Sequence, residues 1–373
     1  MKPLQNPFLV SGYHSPTYFC DRQKESRNIM EALQNNRNLT LVAPRRIGKT
    51  GLIQHIFHEL SQKDFRTIYL DIFPTSNLND FTRVFAEAVL GSLDSNLQRI
   101  TKKIGATMKS FRPIVRFDPI TGNPEFSIYI EPGKEEASLK DVFNYLKISE
   151  KKCVIAIDEF QQITEYPEKK VEALLRTYIQ LVPNLHFIFS GSKQHLMEEL
   201  FISTKRPFYQ STQLMNIGVI EKKEYYAFAN AFFADKDLIL EESVFNELYD
   251  IFEGYTWYIQ ALLNRLYGYG ESVTSDRQLF EAIDNLIAEY DYAYQHLLVA
   301  YTSTAVKLLK AIAKEGVVEE INAGQFISKY NLKAASSVNT ALSRLLKNEM
   351  VYKSDEGYII YDRLMSLWLS RQP

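Results

Sequence analysis

Three consecutive residues, Gly48, Lys49 and Thr50, carry the densest chemistry in the chain. They follow the apolar run Leu39–Val42 and the short stretch Ala43, Pro44, Arg45, Arg46 and Ile47, and they precede Gly51 and a helical apolar pattern. Strand, loop, then helix start is the order that polyphosphate binding needs. Loop N–H groups and the first helical turn point together at the phosphate oxygens, and the helix dipole favours the anion. Gly48 lets the backbone come close, Lys49 supplies a mobile positive charge, and Thr50 offers a hydroxyl for Mg2+. Residues Pro44–Gly51 are therefore candidate nucleotide ligands. One position departs from the pattern G-x-x-x-x-G-K-[ST]: Ala43 stands where its first glycine belongs, a change that costs little where φ is negative.

A second constellation serves the same chemistry. Val154–Ile157 is an apolar, β-branched run followed at once by Asp158 and Glu159. A buried strand ending in two carboxylates is the Walker B arrangement, in which Asp158 holds Mg2+ through its water shell and Glu159 orients and partly deprotonates the water that attacks a γ-phosphate. Phe187–Ser192 is a further strand whose end carries Ser190, Gly191 and Ser192, where an open α/β sheet keeps its ligand crevice. Ser190 or Ser192 could touch the γ-phosphate or the water, or could simply form a strand-to-helix turn. ATP or ADP with Mg2+ is the ligand these residue types predict.

The elements that must position these groups alternate along the chain. Apolar spacing predicts helices over 21–35, 48–63, 79–93 and 168–181, and strands over 39–42, 66–72, 152–157 and 185–190, hence a parallel sheet covered on both faces. Phe111–Ile130 alternates on either side of Asp118–Pro124 and predicts a β-hairpin inserted before the third core strand. From Glu221 to Tyr294 only helical spacing remains, which predicts a separate bundle. Beyond Tyr301, helices over 302–314, 323–330 and 334–348 and two strands within Met350–Tyr361 spell a winged helix. The expected division is a core over 1–220, a helical lid over 221–300 and a winged helix over 301–373.

Together these residues resemble the archaeal-type AAA-like P-loop ATPases of the STAND-related group, over most of the chain. The resemblance rests on Phe19–Arg22 with Glu25, Pro44–Thr50, Ile157–Phe160, Ser190–Ser192, the pair Tyr361 and Asp362, and Trp368. The Arg45-Arg46 pair is its most distinctive part. It implies an α/β P-loop NTPase with a parallel sheet core, the hairpin insertion, a helical lid and a C-terminal winged helix. It also implies that Phe19 and Arg22 lie near the adenine. Two positions differ from the relatives. Pro207–Ser211 lacks the arginine that usually ends Pro-Leu-Tyr-Gly-Arg, which leaves Arg206 as the nearest charge-neutralising substitute. The lid sequence Gly254–Trp257 carries Trp257 where relatives have proline, and that indole either closes the adenine site or packs in the lid core.

Composition limits the other functions. With 43 Lys and Arg against 45 Asp and Glu, no overall basic field draws the chain onto nucleic acid or anionic lipid. In the third winged-helix helix Val338, Leu342, Leu345 and Leu346 face inward, leaving Ser336, Thr340, Ser343, Arg344 and Lys347 for a DNA groove, a protein client or solvent. That domain has 10 Lys and Arg against 7 Asp and Glu, a small surplus for binding phosphates. Cys20 and Cys153 suggest no disulfide framework, and His55 and His58 lack a third ligand for zinc. The N-terminus reads as neither signal nor anchor, so a cytoplasmic protein without membrane association is expected. Oligomeric assembly is left open. Two functions fit: an ATPase that couples hydrolysis to lid and winged-helix positions, or an ATP/ADP-gated DNA- or protein-binding module that does not hydrolyse.

Overall fold

A computed structural model of the chain describes residues 3–63, 65–93, 111–117, 124–148, 152–332 and 334–372. It forms two compact units, Ser11–Ile220 and a second made of Met1–Val10 with Glu221–Pro373.

The first unit is built on helix α1 (Gln23–Gln34), strand β1 (Leu39–Val42), α2 (Lys49–Ser61), β2 (Arg66–Asp71) and α3 (Leu78–Leu93). A hairpin of β3 (Phe111–Phe117) and β4 (Pro124–Ile130) follows, then α4 (Glu135–Ile148), β5 (Cys153–Asp158), α5 (Val171–Gln180), β6 (Leu185–Gly191), α6 (Gln194–Ile202) and β7 (Gln213–Asn216). Five strands form one parallel sheet in the order β2-β5-β6-β1-β7. β1, β5 and β6 are buried along their whole length, as strands covered on both faces must be, which is why they read as unbroken apolar runs. Helix α2 contributes Leu52, Ile53, Ile56, Phe57 and Leu60 to the core. On the other side of the sheet Phe85, Phe143, Phe160, Phe187, Phe189, Phe201 and Phe208 join one cluster. Truncating a fully buried ring such as Phe187 costs about 3–5 kcal/mol.

The hairpin is present, with Phe111 opposite Ile130 and Phe117 opposite Pro124; its turn, 118–123, lies outside the described residues. Glu87 of α3 holds it by accepting from Ser127 Oγ at 2.9 Å and from the Ile128 N–H at 3.1 Å. Helix α4 was not anticipated, although Leu139, Val142, Phe143 and Leu146 keep helical spacing and are buried. β7 alternates between half-buried and exposed residues at the sheet edge and has no apolar run to betray it.

In the second unit, α7 (Lys222–Ala234), α8 (Glu242–Ile251), α9 (Thr256–Gly268) and α10 (Asp276–Val299) form the expected bundle. The N-terminal segment belongs here rather than to the sheet: Phe8 packs among Phe228, Phe232, Phe233 and Tyr267, and Asn6 donates to the Asn264 carbonyl. The winged helix comprises α11 (Ser303–Glu315), α12 (Gly324–Lys329), α13 (Ala335–Lys347), β8 (Val351–Lys353), β9 (Tyr358–Ile360) and a further helix, α14 (Arg363–Ser370), that Asp362 caps. Gly357 is required at the wing: its φ is 141°, and a Cβ there would lie 2.6 Å from the Val318 carbonyl oxygen. Among the described residues no helix is long and apolar enough to cross a membrane.

Candidate functional site

The sheet order brings the two sequence constellations to one edge. β6 lies between β1 and β5, with Val42 opposite Gly191 and Ile157 opposite Phe189, so the loop after β1, the carboxylates after β5 and the hydroxyls after β6 share the C-terminal end of the strands. Gly48 caps α2 with φ 94° and Arg46 holds φ 69°, so the loop turns back into the helix through two left-handed residues, one of which has a side chain. Such a turn aims successive N–H groups into one concavity.

Lys49 is buried and donates to the loop's own carbonyls, Ala43 O at 2.8 Å and Pro44 O at 2.9 Å. Burial pushes its pKa down to about 8, against the pull of Asp158 and Glu159 and with a push from Arg45. Thr50 donates its hydroxyl to Asp158 Oδ2 at 2.9 Å, and Tyr69 donates to the same oxygen at 2.7 Å. The other oxygen, Oδ1, accepts from the Glu159 N–H at 3.0 Å. A hydroxyl and a carboxylate already in contact are the hard oxygen donors that suit Mg2+, which keeps water and substrate phosphate for its remaining positions. Among the described residues no group of three or more His, Cys, Asp or Glu could hold a metal ion.

Glu159 stands in the left-handed region, φ 54°. Its Oε2 accepts from Ser192 Oγ at 2.7 Å and from Gln161 Nε2 at 2.5 Å, and Ser192 Oγ in turn accepts from Arg45 Nε at 3.1 Å. Ser192, rather than Ser190, is thus the hydroxyl engaged with the carboxylate; the buried Ser190 Oγ makes no hydrogen bond. Between them, a Cβ on Gly191 would press on the Gln161 amide oxygen and the Met197 sulfur, so a side chain there would displace both.

Arg22 lies behind the loop. It is buried, its backbone is left-handed at φ 64°, and its guanidinium donates to the Ile47 carbonyl at 3.0 Å and to Glu25 at 2.8 Å. Phe19 stacks on His55 with centroids 4.3 Å apart, and its ring lies 3.6 Å from where a Cβ on Gly51 would stand. Tyr13 bonds the same His55 at 3.1 Å, and burial lowers the histidine's pKa.

Two candidates have other partners. Arg206 is paired with Glu172 of α5 at 2.7 Å and with Glu199 of α6 at 2.7 Å, not with the loop or Glu159. Trp257 belongs to the other unit, where it packs edge-on against Tyr258 and Tyr290. Sequence reasoning missed Tyr69 and Gln161. Gln161 stood two residues after Glu159 and was within reach of inspection; Tyr69 needed the β2-β5 pairing, which places Asp71 opposite Asp158.

Comparisons with known proteins bear on the family and the fold. The family model described as "ATPase domain predominantly from Archaea" matches residues 19–262, and one described as "Probable winged helix domain" matches 292–371. Two ATP-binding proteins of Methanocaldococcus jannaschii are 25% identical over 232 residues and 27% identical over 195, covering 60% and 49% of this chain. The matched region spans 59% and 48% of those relatives' own lengths. A Walker-type ATPase of Pyrococcus abyssi superposes with TM-score 0.66 at 17% identity, over 97% of this chain and 99% of that one. The ORC2 protein of Aeropyrum pernix, solved as ADPNP-ADP complexes, gives 0.59 at 15% identity, over 98% and 96%. The ORC1 protein of the same organism, solved with DNA, gives 0.56 at 13%, over 98% and 96%.

Proposed function

Since the chain belongs to the family of ATPase domains found predominantly in Archaea and carries a winged helix, we propose that it binds ATP with Mg2+ along Pro44–Gly51, hydrolyses it, and passes its nucleotide state to the helical lid and the winged helix. The observation that carries this reading is the joining of Thr50 to Asp158 and of Ser192 to Glu159 at one sheet edge. The N–H groups from Arg45 to Gly51 take the phosphates, and Lys49 leaves the Ala43 and Pro44 carbonyls for them. Phe19 and Arg22 support the loop and the first turn of α2, on the side where the base would lie. Thr50 and Asp158 hold Mg2+, which when bound neutralises phosphate charge. Glu159 accepts a proton from water as the water oxygen bonds to the γ-phosphorus. The bond from that phosphorus to the β–γ bridging oxygen breaks, ADP leaves with the electron pair, and the proton passes to the released phosphate.

The working units are the core to 220, the lid over 221–300 and the winged helix from 301, and the last two act together. Tyr258 of α9 donates to Asp362 at 3.0 Å and accepts from the Arg363 N–H at 2.9 Å. Arg363 pairs with Glu253 at 2.6 Å and lies over the Tyr255 ring at 5.3 Å. Trp368 donates to Asp291 of α10 at 2.7 Å. A displaced lid turn would carry the winged helix with it. A protein client fits that domain better than DNA. Arg344 is drawn back onto the Ala300 carbonyl at 2.9 Å and the Tyr301 ring, while the wing exposes Asp355 and Glu356 beside Glu319 and Glu320. A water-filled, cytoplasmic setting belongs to the same reading.

The test is phosphate release from ATP by the purified chain, with Glu159→Gln and Lys49→Ala as controls. Turnover in the wild type and none in either variant supports hydrolysis. A second reading, a nucleotide-gated module without turnover, draws on the pairing of Arg206 away from the site. It requires ATP-dependent client retention that survives Glu159→Gln and disappears in Lys49→Ala.

A further inference from the structure

We propose that Arg45, the first arginine of the phosphate loop, supplies in cis the positive charge that recognises the γ-phosphate, and that it reports γ-phosphate occupancy to Glu159 through Ser192. The inference rests on the reading of the site as an ATP site and names the residue that makes it select a triphosphate.

Its basis is a directed chain of hydrogen bonds. Arg45 Nε donates to Ser192 Oγ at 3.1 Å, and that hydroxyl donates to Glu159 Oε2 at 2.7 Å. A serine hydroxyl has one proton and two lone pairs, so it can hold an arginine and a carboxylate together only in this sense. Whatever draws the guanidinium forward therefore releases Ser192 and alters the hold on Glu159. Arg45 is half-buried on the loop that wraps the phosphates, two residues from Ile47, whose carbonyl Arg22 fixes from behind. Its charge is close enough to Lys49 to depress that ammonium's pKa.

The local charge count points the same way. Lys49 and Arg45 lie with Asp158 and Glu159, and Asp71 stands opposite Asp158, so two cations meet three carboxylates. A nucleoside triphosphate brings more negative charge than one divalent ion neutralises, and the excess over a diphosphate sits on the γ-phosphate. Lys49 alone cannot meet it and also compensate the carboxylates. Arg206, the arginine nearest in sequence to the relatives' finger position, is committed to Glu172 and Glu199. Arg45 is the guanidinium hydrogen-bonded, through Ser192, to the carboxylate that would activate water. The planar fork of an arginine suits phosphate oxygens better than a second ammonium would.

The experiment compares wild-type, Arg45→Ala and Arg45→Gln chains. Gln keeps a donor toward Ser192 without the charge, which separates charge from bracing and serves if the alanine variant folds poorly. Calorimetry with ADP and with a non-hydrolysable ATP analogue, both with Mg2+, reads selectivity without turnover. Both variants should bind ADP within about threefold of wild type and lose about tenfold or more of the preference for the triphosphate analogue. Turnover at saturating ATP should fall about 100-fold or more. A mixture of Arg45→Ala with Lys49→Ala should recover no activity, because each active centre needs both residues on one chain. Unchanged selectivity in Arg45→Gln, or recovery of turnover in the mixture, overturns the inference. A wild-type chain that hydrolyses no ATP would defeat the hydrolytic reading and leave this one decided by the binding measurement.

Discussion

Two aspartates, one in each unit, hold nearly the same set of partners and do opposite things. Asp158 accepts from two hydroxyls, Thr50 and Tyr69, and from the next backbone N–H. Asp362 accepts from two hydroxyls, Tyr258 at 3.0 Å and Tyr294 at 3.4 Å, and from the Met365 N–H at 3.0 Å as a helix cap. The difference lies in what the partners can give up. Tyr258 is fully buried and Tyr294 nearly so, and the capped N–H has no alternative acceptor, so Asp362 is a fixed joint. Thr50 is exposed on the first turn of α2, beside a lysine hydrogen-bonded to loop carbonyls, and the proposed ATPase reading requires the Asp158 shell to open there for a cation and phosphate. On that reading one aspartate keeps its partners and the other exchanges them.

The largest expected effect sharpens the exchanging side. Glu159→Gln should lower turnover about 1,000-fold, read as phosphate released at saturating ATP, because it removes the base while leaving acceptors for Ser192 and Gln161. ADP affinity should stay within about threefold. Asp158→Asn should abolish the Mg2+ dependence of ATP binding and lower the melting temperature only slightly, since an amide oxygen still accepts from Thr50 and Tyr69 and only the Glu159 N–H loses its acceptor.

The fixed side should answer the other way. Asp362→Ala removes the cap of α14 and strands two tyrosine hydroxyls, a loss of about 2–3 kcal/mol that thermal melting would read as several degrees. Tyr258→Phe should cost less, about 1–2 kcal/mol, because it leaves the cap and orphans only the Arg363 N–H. If Asp362→Ala melted like the wild type and Asp158→Asn did not, the contrast between the two aspartates would be wrong.

What the sequence disclosed about this contrast follows from the range over which each interaction is encoded. Lys49, Thr50, Asp158 and Glu159 were legible because loop and strand-end chemistry is written in consecutive residues. Their mutual contact was expected from the sheet class and needed only the strand order to become geometry. Tyr69 and the Arg45–Ser192 bond depend on which strands lie side by side, β2 with β5 and β6 with β1, and no local spacing states that order. Arg206 is nearest in sequence to the absent arginine, but the turn after α6 presents it to Glu172 and Glu199 instead. Tyr361, Asp362 and Trp368 carry part of the family resemblance, but nothing local connects them to Tyr258 and Asp291. Helix α4 keeps helical spacing at Leu139, Val142, Phe143 and Leu146, in a short interval between a hairpin and a strand.

Arg206 gives the smallest effect and a pH signature that tests its assignment as structural. Glu172 is largely buried, and burial raises its pKa above 4.5 even though Arg206 pulls it down; Glu199, on the facing helix, pushes it up. Its Oε2 has no hydrogen-bond partner. A carboxyl with a raised folded-state pKa binds more protons folded than unfolded, so it weakens stability as pH climbs from the unfolded value through the folded one. Arg206→Ala would raise the folded pKa further and add to that loss. The penalty should be about 1 kcal/mol at neutral pH, discounted because the pair is partly open to water, and it should shrink as pH falls below about 4.5, where the carboxyl is protonated in both states. Melting curves of wild type and variant at pH 4 and pH 7.5 would show it. A gap between the two that is independent of pH would place the cost in lost packing. A collapse of turnover without that stability signature would return Arg206 to the phosphate site and remove Arg45 from its assigned role.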